Sequence, residues 1–126
     1  MSESLLGQLE DEEARQAVLD ATFAMFRRWH LHDINQAQLL GLANLKSLKQ
    51  HMAGDVAAAI LTRMGNLLAI ERALNKYFRY EPQKRDRWIF QPQQTLNGET
   101  PLAFMLGQGD NGIREVKQLA ESLSEV

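Results

Sequence analysis

The chain contains no cysteine, which excludes disulfide staples, thiol nucleophiles and thiolate metal sites together. Proline is scarce and unevenly placed, with Pro82, Pro92 and Pro101 all lying beyond residue 80. No apolar run approaches the roughly 20 residues that span a bilayer. The N-terminal stretch, acidic at Glu10-Asp11-Glu12-Glu13, lacks the basic start and apolar block of a secretory signal. Excess charge is missing too: a net charge of -2 and a pI near 5.9 differ from the basic balance usual in a dedicated nucleic-acid binder. What is present suits a globular protein, with 126 residues, 44% of them hydrophobic and 24% charged. One compact cytoplasmic unit with a modest core is the expectation.

No segment alternates with the period of a strand, and the apolar positions recur at helical spacing instead. A first helix is expected over residues 10–29, with Ala14, Ala17, Val18, Ala21, Ala24 and Met25 on its inner face. His30-Leu31-His32 reads as a joint, and Asp33 as the N-cap of a helix over 34–40 that stops at Gly41. Asn44 caps a further helix that ends near Gly54. Residues 55–79 carry the longest stripe, Val56, Ile60, Leu67, Ile70, Leu74 and Tyr77, reinforced by Met64 and Leu68. Gly65 interrupts it at a cost of about 1 kcal/mol against alanine, a position suited to close approach by another helix. The stripe reads first as core, but together with the terminal helix it offers more apolar surface than a chain this short covers alone, which predicts at least a homodimer. Beyond Tyr80 a short helix is expected over 83–90, a second opening at Thr100-Pro101, and a last amphipathic one bearing Ile113, Val116, Leu119, Ala120 and Leu123. The fold class is therefore all-α, with two small helical lobes joined by a long connecting helix.

The stretch from Gln36 to Gln50 has the layout of a helix-turn-helix: an amphipathic turn, a glycine corner at Gly41, then a capped second helix. That second helix would present Asn44, Lys46, Ser47, Lys49 and Gln50 to a groove. Asn and Gln pair bidentately with adenine, and Lys reaches guanine or phosphate. The plainer reading of the same lobe is a structural corner without DNA affinity. Charge is distributed in a way that favours DNA locally: acid gathers at the two ends, while Arg27, Arg28, Lys46, Lys49, Lys76, Arg79, Lys84, Arg85 and Arg87 occupy the middle.

Little in the chain suggests catalysis. His30 and His32 stand beside Asp33 and His51 lies on another element, without the ligand cluster a metal site needs. Gly107-x-Gly109-x-x-Gly112 has the outline of a dinucleotide loop, but it follows a helical turn and not a strand. Neither a metal, a cofactor nor an enzymatic activity is expected.

The second half resembles a family. Arg87-Trp88-Ile89-Phe90-Gln91-Pro92, then Leu96-Asn97-Gly98-Glu99-Thr100-Pro101-Leu102-Ala103-Phe104-Met105-Leu106, then Val116 and Leu119, resemble the toxin-binding domain of Xre/MbcA/ParS antitoxins. That motif is a Trp, a Pro, a Leu-x-Gly-x-x-Pro-Leu block, a gap and a terminal amphipathic helix. The first half is similar to the Xre-like helical region that precedes the domain, so the resemblance covers about residues 20–124. It implies a division into an Xre-like DNA-binding and dimerisation region, 1–80, and a toxin-binding domain, 81–126. It also implies an antitoxin of a type II toxin-antitoxin system, paired with a RES-type toxin that consumes NAD, and repression of its own operon through operator DNA.

On that reading the toxin surface draws on Trp88, Leu102, Phe104, Met105, Arg114, Val116, Leu119 and Leu123. Leu102, Phe104, Met105 and Leu106 cannot all face one core from a single helical stretch, so some are left to cover a partner. The competing view is that Trp88 and Phe90 pack over them and close the core. At the level of function, the alternative is a stand-alone helix-turn-helix transcriptional regulator whose C-terminal domain serves dimerisation.

Overall fold

The computed structural model describes the backbone of residues 2–48, 52 and 57–125, with side chains from Glu12 onward. Among these residues every regular element is helical. Helix α1 spans Ser2–Arg28 and α2 Asp33–Leu39; a 3₁₀ turn follows at Leu45–Ser47. The long α3 covers Ala57–Tyr77 and the short α4 Pro82–Arg87, extended by a 3₁₀ turn at Trp88–Phe90. A further 3₁₀ turn at Gln94–Leu96 leads into α5, Pro101–Gln108, and α6, Asp110–Ser122.

Local chemistry accounts for the ends of these helices. At the end of α1, the Leu31 amide donates to the Phe26 carbonyl at 3.1 Å and the His30 amide to Arg27 at 3.0 Å. That is a Schellman closure, with His30 at φ 55 in the left-handed position usually filled by glycine. Helix α2 ends the same way, Leu42 donating to Ala37 at 2.8 Å and Gly41 to Gln38 at 3.0 Å. Gly41 supplies the positive φ of 77. Asp33 is the first residue of α2 and not its cap; His32 holds that place without a side-chain cap bond. Asn44 does cap the next turn, its Oδ1 accepting the Ser47 amide at 3.1 Å. Thr100 caps α5 by accepting the Ala103 amide at 3.1 Å, with Pro101 in the first turn.

Helix α3 is the spine. It packs on α1 along one side and α6 along another, while α5 pairs with α6 and touches α2. Its expected stripe is real: Ile60, Met64, Leu67, Ile70 and Leu74 are all buried. Val56 lies outside the described residues, and Tyr77 leaves the stripe, standing 49% exposed where the helix runs out. Because this chain's own helices cover the stripe, it is not free to bind a second subunit. Gly65 also departs from expectation, since a Cβ built there meets nothing within 4 Å. The close approach occurs at Gly112, where a Cβ would stand 2.8 Å from the Phe104 carbonyl oxygen and 3.2 Å from the Met105 Cα.

The inner face of α1 is rotated from the alanine stripe. Ala14, Ala17 and Ala21 are exposed, whereas Thr22, Met25, Phe26 and Trp29 have no exposed area. The reason is size: burying Phe and Trp removes far more apolar surface from water than burying alanine methyls. Phe26 and Trp29, with ring centroids 6.5 Å apart, anchor a core that also takes in Leu39, Leu40, Ile89, Met105, Ile113 and Val116. This single apolar cluster holds residues from both sides of position 80.

Candidate functional site

Two surfaces were expected to carry function, and the fold places their residues unevenly. In the corner after α2, Asn44 and Lys46 are exposed. Ser47 is half-buried and engaged with Asn44, its amide donating to the Asn44 side chain and its hydroxyl to the Asn44 carbonyl at 2.9 Å. Both side chains thus serve a local cap, which leaves Lys46 as the exposed charge of the group among the described residues. Lys49 and Gln50 lie outside the described residues.

The corner is held from behind by Arg63 of α3. Its Nη1 donates to the Leu39 carbonyl at 3.3 Å, while its Nε stands 2.7 Å from the Asp110 carboxylate at the start of α6. A Cβ at Gly41 would meet the Arg63 Cζ at 3.1 Å, so the glycine admits the guanidinium as well as the turn. One side chain thereby ties the α2 corner to the α5–α6 corner. Nothing in the pattern of charges along the sequence picks Arg63 out from the other arginines.

In the C-terminal part, the residues that carry the family resemblance form a connected unit. The turn after Leu96 closes through Asn97, at φ 57 and ψ 33, whose amide donates to Gln94. Gly98 then donates to Gln93 at 3.0 Å, and Gln93 to Glu99 at 3.0 Å. Leu96, Trp88 and Leu102 are buried at 5%, 5% and 8% exposure. Met105 and Val116 are buried as well. These four toxin-surface candidates, Trp88, Leu102, Met105 and Val116, therefore point into the chain's own core and support a surface from beneath.

The remaining candidates reach that surface. Phe104, Leu119 and Leu123 are half-buried, as is Leu106, and all pack against the rim of the core. Leu119 and Leu123 follow Gly112 at helical spacing, about two and three turns on. Arg114 is exposed and bonded to the Asn111 side chain. Phe90 does not close over this group, being 44% exposed. Of the four apolar residues in the Leu102–Leu106 stretch, two thus turn inward and two stay at the rim.

A third region was visible in the sequence only as a row of charges. Around α4, Lys84 pairs with Glu81 at 2.7 Å and Arg85 with Asp86 at 2.8 Å. The hydrogen bond to Glu81 raises the Lys84 pKa above its ordinary value, and that to Asp86 does the same for Arg85. Both cations hold their charge at neutral pH. Tyr77, Tyr80 and Phe90 stand exposed in the same region. Helical periodicity cannot reveal this, because all three belong to turns or helix ends.

Among the described residues no three His, Asp or Glu side chains gather as a metal-ligand set, and no helix is long and apolar enough to cross a membrane. Compared with known proteins, the chain matches no family model, no curated protein and no solved structure.

Proposed function

We propose that this chain is an antitoxin of the Xre/MbcA/ParS type: a non-enzymatic protein that binds and inhibits a RES-type, NAD-consuming toxin through residues 81–126. The same reading gives the N-terminal lobe a role in operon repression, with Lys46, Lys49 and Gln50 contacting operator DNA. The observation that carries it is the resemblance from Trp88 to Leu119. It is supported by the way Trp88, Leu96, Gly98, Pro101 and Leu102 act together in building the unit that presents Phe104 and Leu119. A half-exposed apolar patch with a charged rim suits a protein partner, since buried aromatics anchor an interface while rim charges set its register. A homodimer, on this view, uses the rim of the core and not the covered stripe of α3.

The test is co-expression with a RES-domain toxin encoded beside this gene, scored by growth and by cellular NAD. Phe104→Asp and Leu119→Asp are expected to abolish rescue while helix content by circular dichroism is retained, and Arg114→Glu, at an exposed position, to weaken it. Rescue by all three variants at the parent level would place the toxin surface elsewhere. Gel shifts with promoter DNA test the second role: removing Lys46 or Lys49 should weaken binding to every sequence. An unaffected shift would reduce the N-terminal lobe to a structural corner.

A further inference from the structure

The large apolar side chains exposed among the described residues are Ile34, Tyr77, Tyr80 and Phe90, so all but one fall between positions 77 and 90. Tyr80 is the extreme case at 85% exposure. The same region concentrates positive charge. Residues 76–91 hold five cations and two carboxylates, a local charge of +3 in a chain whose total is -2. The two carboxylates are already engaged, Glu81 with Lys84 and Asp86 with Arg85. Lys76, Arg79 and Arg87 have no ion pair among the described residues, and all three are exposed.

Two clefts meet at Arg87. One, of about 320 Å³, is walled by Phe78 and Trp88 with Lys84 and Gln91 at its edge. The other, of about 440 Å³, lies between Phe90, Gln83, Asp86 and His30. Tyr77 stands edge-on against Phe78, their centroids 4.8 Å apart, which continues the run of rings beyond the first cleft. Phe78, Lys84, Arg87 and Phe90 thus line neighbouring clefts, while Lys76 lies apart, in a cleft it shares with Glu121 and Glu125.

We propose that the corner between α3 and α4, with the two clefts that meet at Arg87, is a binding site for single-stranded nucleic acid. Bases stack on the exposed rings, and phosphates are held by Arg79, Lys84 and Arg87. Stacking accepts any base, because every base has a π-face, while the cations follow the backbone. A duplex would engage the cations but keep its base faces hidden, so exposed Tyr80 and Phe90 favour an unpaired strand. The site is separate from the helix-turn-helix corner. Arg63, which touches Gly41, lies about 20 Å along α3 from Tyr77 at the rise of a helix.

The experiment is fluorescence anisotropy of the full chain with labelled oligothymidylate of about twelve nucleotides. A duplex of equal length unrelated to the promoter and polyglutamate serve as competitors. The expected result is strand binding with a slope of log affinity against log salt near -2, about 0.7 for each of three phosphates. Tyr80→Ala and Phe90→Ala should each weaken binding about tenfold, and Arg87→Ala should flatten the slope by about 0.7. All three positions are exposed, and a thermal melt checks that the variants fold. Absence of binding at low salt, indifference to Tyr80→Ala and Phe90→Ala, or equal competition by duplex or polyglutamate would each overturn the proposal. Lys46→Ala should leave strand binding unchanged, so failure of operator binding and failure of this site are read separately.

Discussion

Arg63 and Asp110 form an ion pair of 2.7 Å that joins the second turn of α3 to the first turn of α6. The pair is lopsided: the Arg63 side chain is 19% exposed and that of Asp110 61%. Its energetic weight therefore lies with the arginine, which also satisfies the Leu39 carbonyl at the end of α2. Asp110 contributes mainly as a negative charge at a helix N-terminus.

Replacing Arg63 by alanine is expected to cost about 1–2 kcal/mol, from the lost bond to Leu39 and the lost packing of its stem. Asp110→Ala should cost about 0.5 kcal/mol, as exposed pairs do. Urea denaturation of both single variants and the double variant checks this. Equal losses from the two single variants would mean that the bond to Leu39 contributes nothing.

Two glycines within helices, Gly65 and Gly112, should respond to alanine with opposite sign. At Gly65 the added methyl meets nothing, so Gly65→Ala should stabilise the fold by about 0.5–1 kcal/mol. At Gly112 it would stand 2.8 Å from the Phe104 carbonyl oxygen, and forcing α5 and α6 apart should cost about 1–3 kcal/mol. Thermal melts of the two variants, compared with the parent, decide the matter.

Glu71 is 7% exposed in the core side of α3 and receives two guanidinium nitrogens from Arg28 of α1. Arg28→Ala strands that carboxylate, with an expected loss of about 2 kcal/mol given that Arg28 is itself 40% exposed. Combining it with Glu71→Leu should recover most of the loss. A double variant as unstable as the single one would show that the buried carboxylate is not the source of the cost.

The Trp29 indole N–H is buried without a hydrogen-bond partner. Trp29→Phe removes an unsatisfied donor and some ring volume at once, two effects of opposite sign. The net change should stay within about 1 kcal/mol, whereas Trp29→Ala should cost about 3–5 kcal/mol. Chemical denaturation of the pair separates the donor from the ring.

The helices beyond Tyr80 were legible because proline, threonine and glycine act locally: Thr100 and Pro101 specify a helix start whatever the core does. The α3 stripe was legible because a helix buried on one side writes its period into the sequence. The inner face of α1 was legible only in part: Met25 of the expected stripe is fully buried and Val18 packs against the core, but Phe26 and Trp29 outweigh the alanines in area. Pair relationships such as Arg63 with Gly41, or Gly112 with Phe104, depend on how distant helices meet. Periodicity within one segment carries no record of that. The same holds for the corner after α2, where the engagement of Ser47 becomes visible only when its hydroxyl is seen to point back to Asn44.

The closed turn at Asn97-Gly98 also bears on how the protein ages. An Asn-Gly pair is the sequence most prone to deamidation, in which the glycine amide nitrogen attacks the asparagine side-chain carbonyl carbon, ammonia leaves to give a cyclic imide, and water opens the imide to isoaspartate or aspartate. Here that nitrogen is committed to the Gln93 carbonyl at 3.0 Å, and Asn97 is fixed in the left-handed conformation. The folded chain thus guards a bond that the unfolded chain leaves open, and isoaspartate at position 97 should accumulate in proportion to the time this turn spends undone.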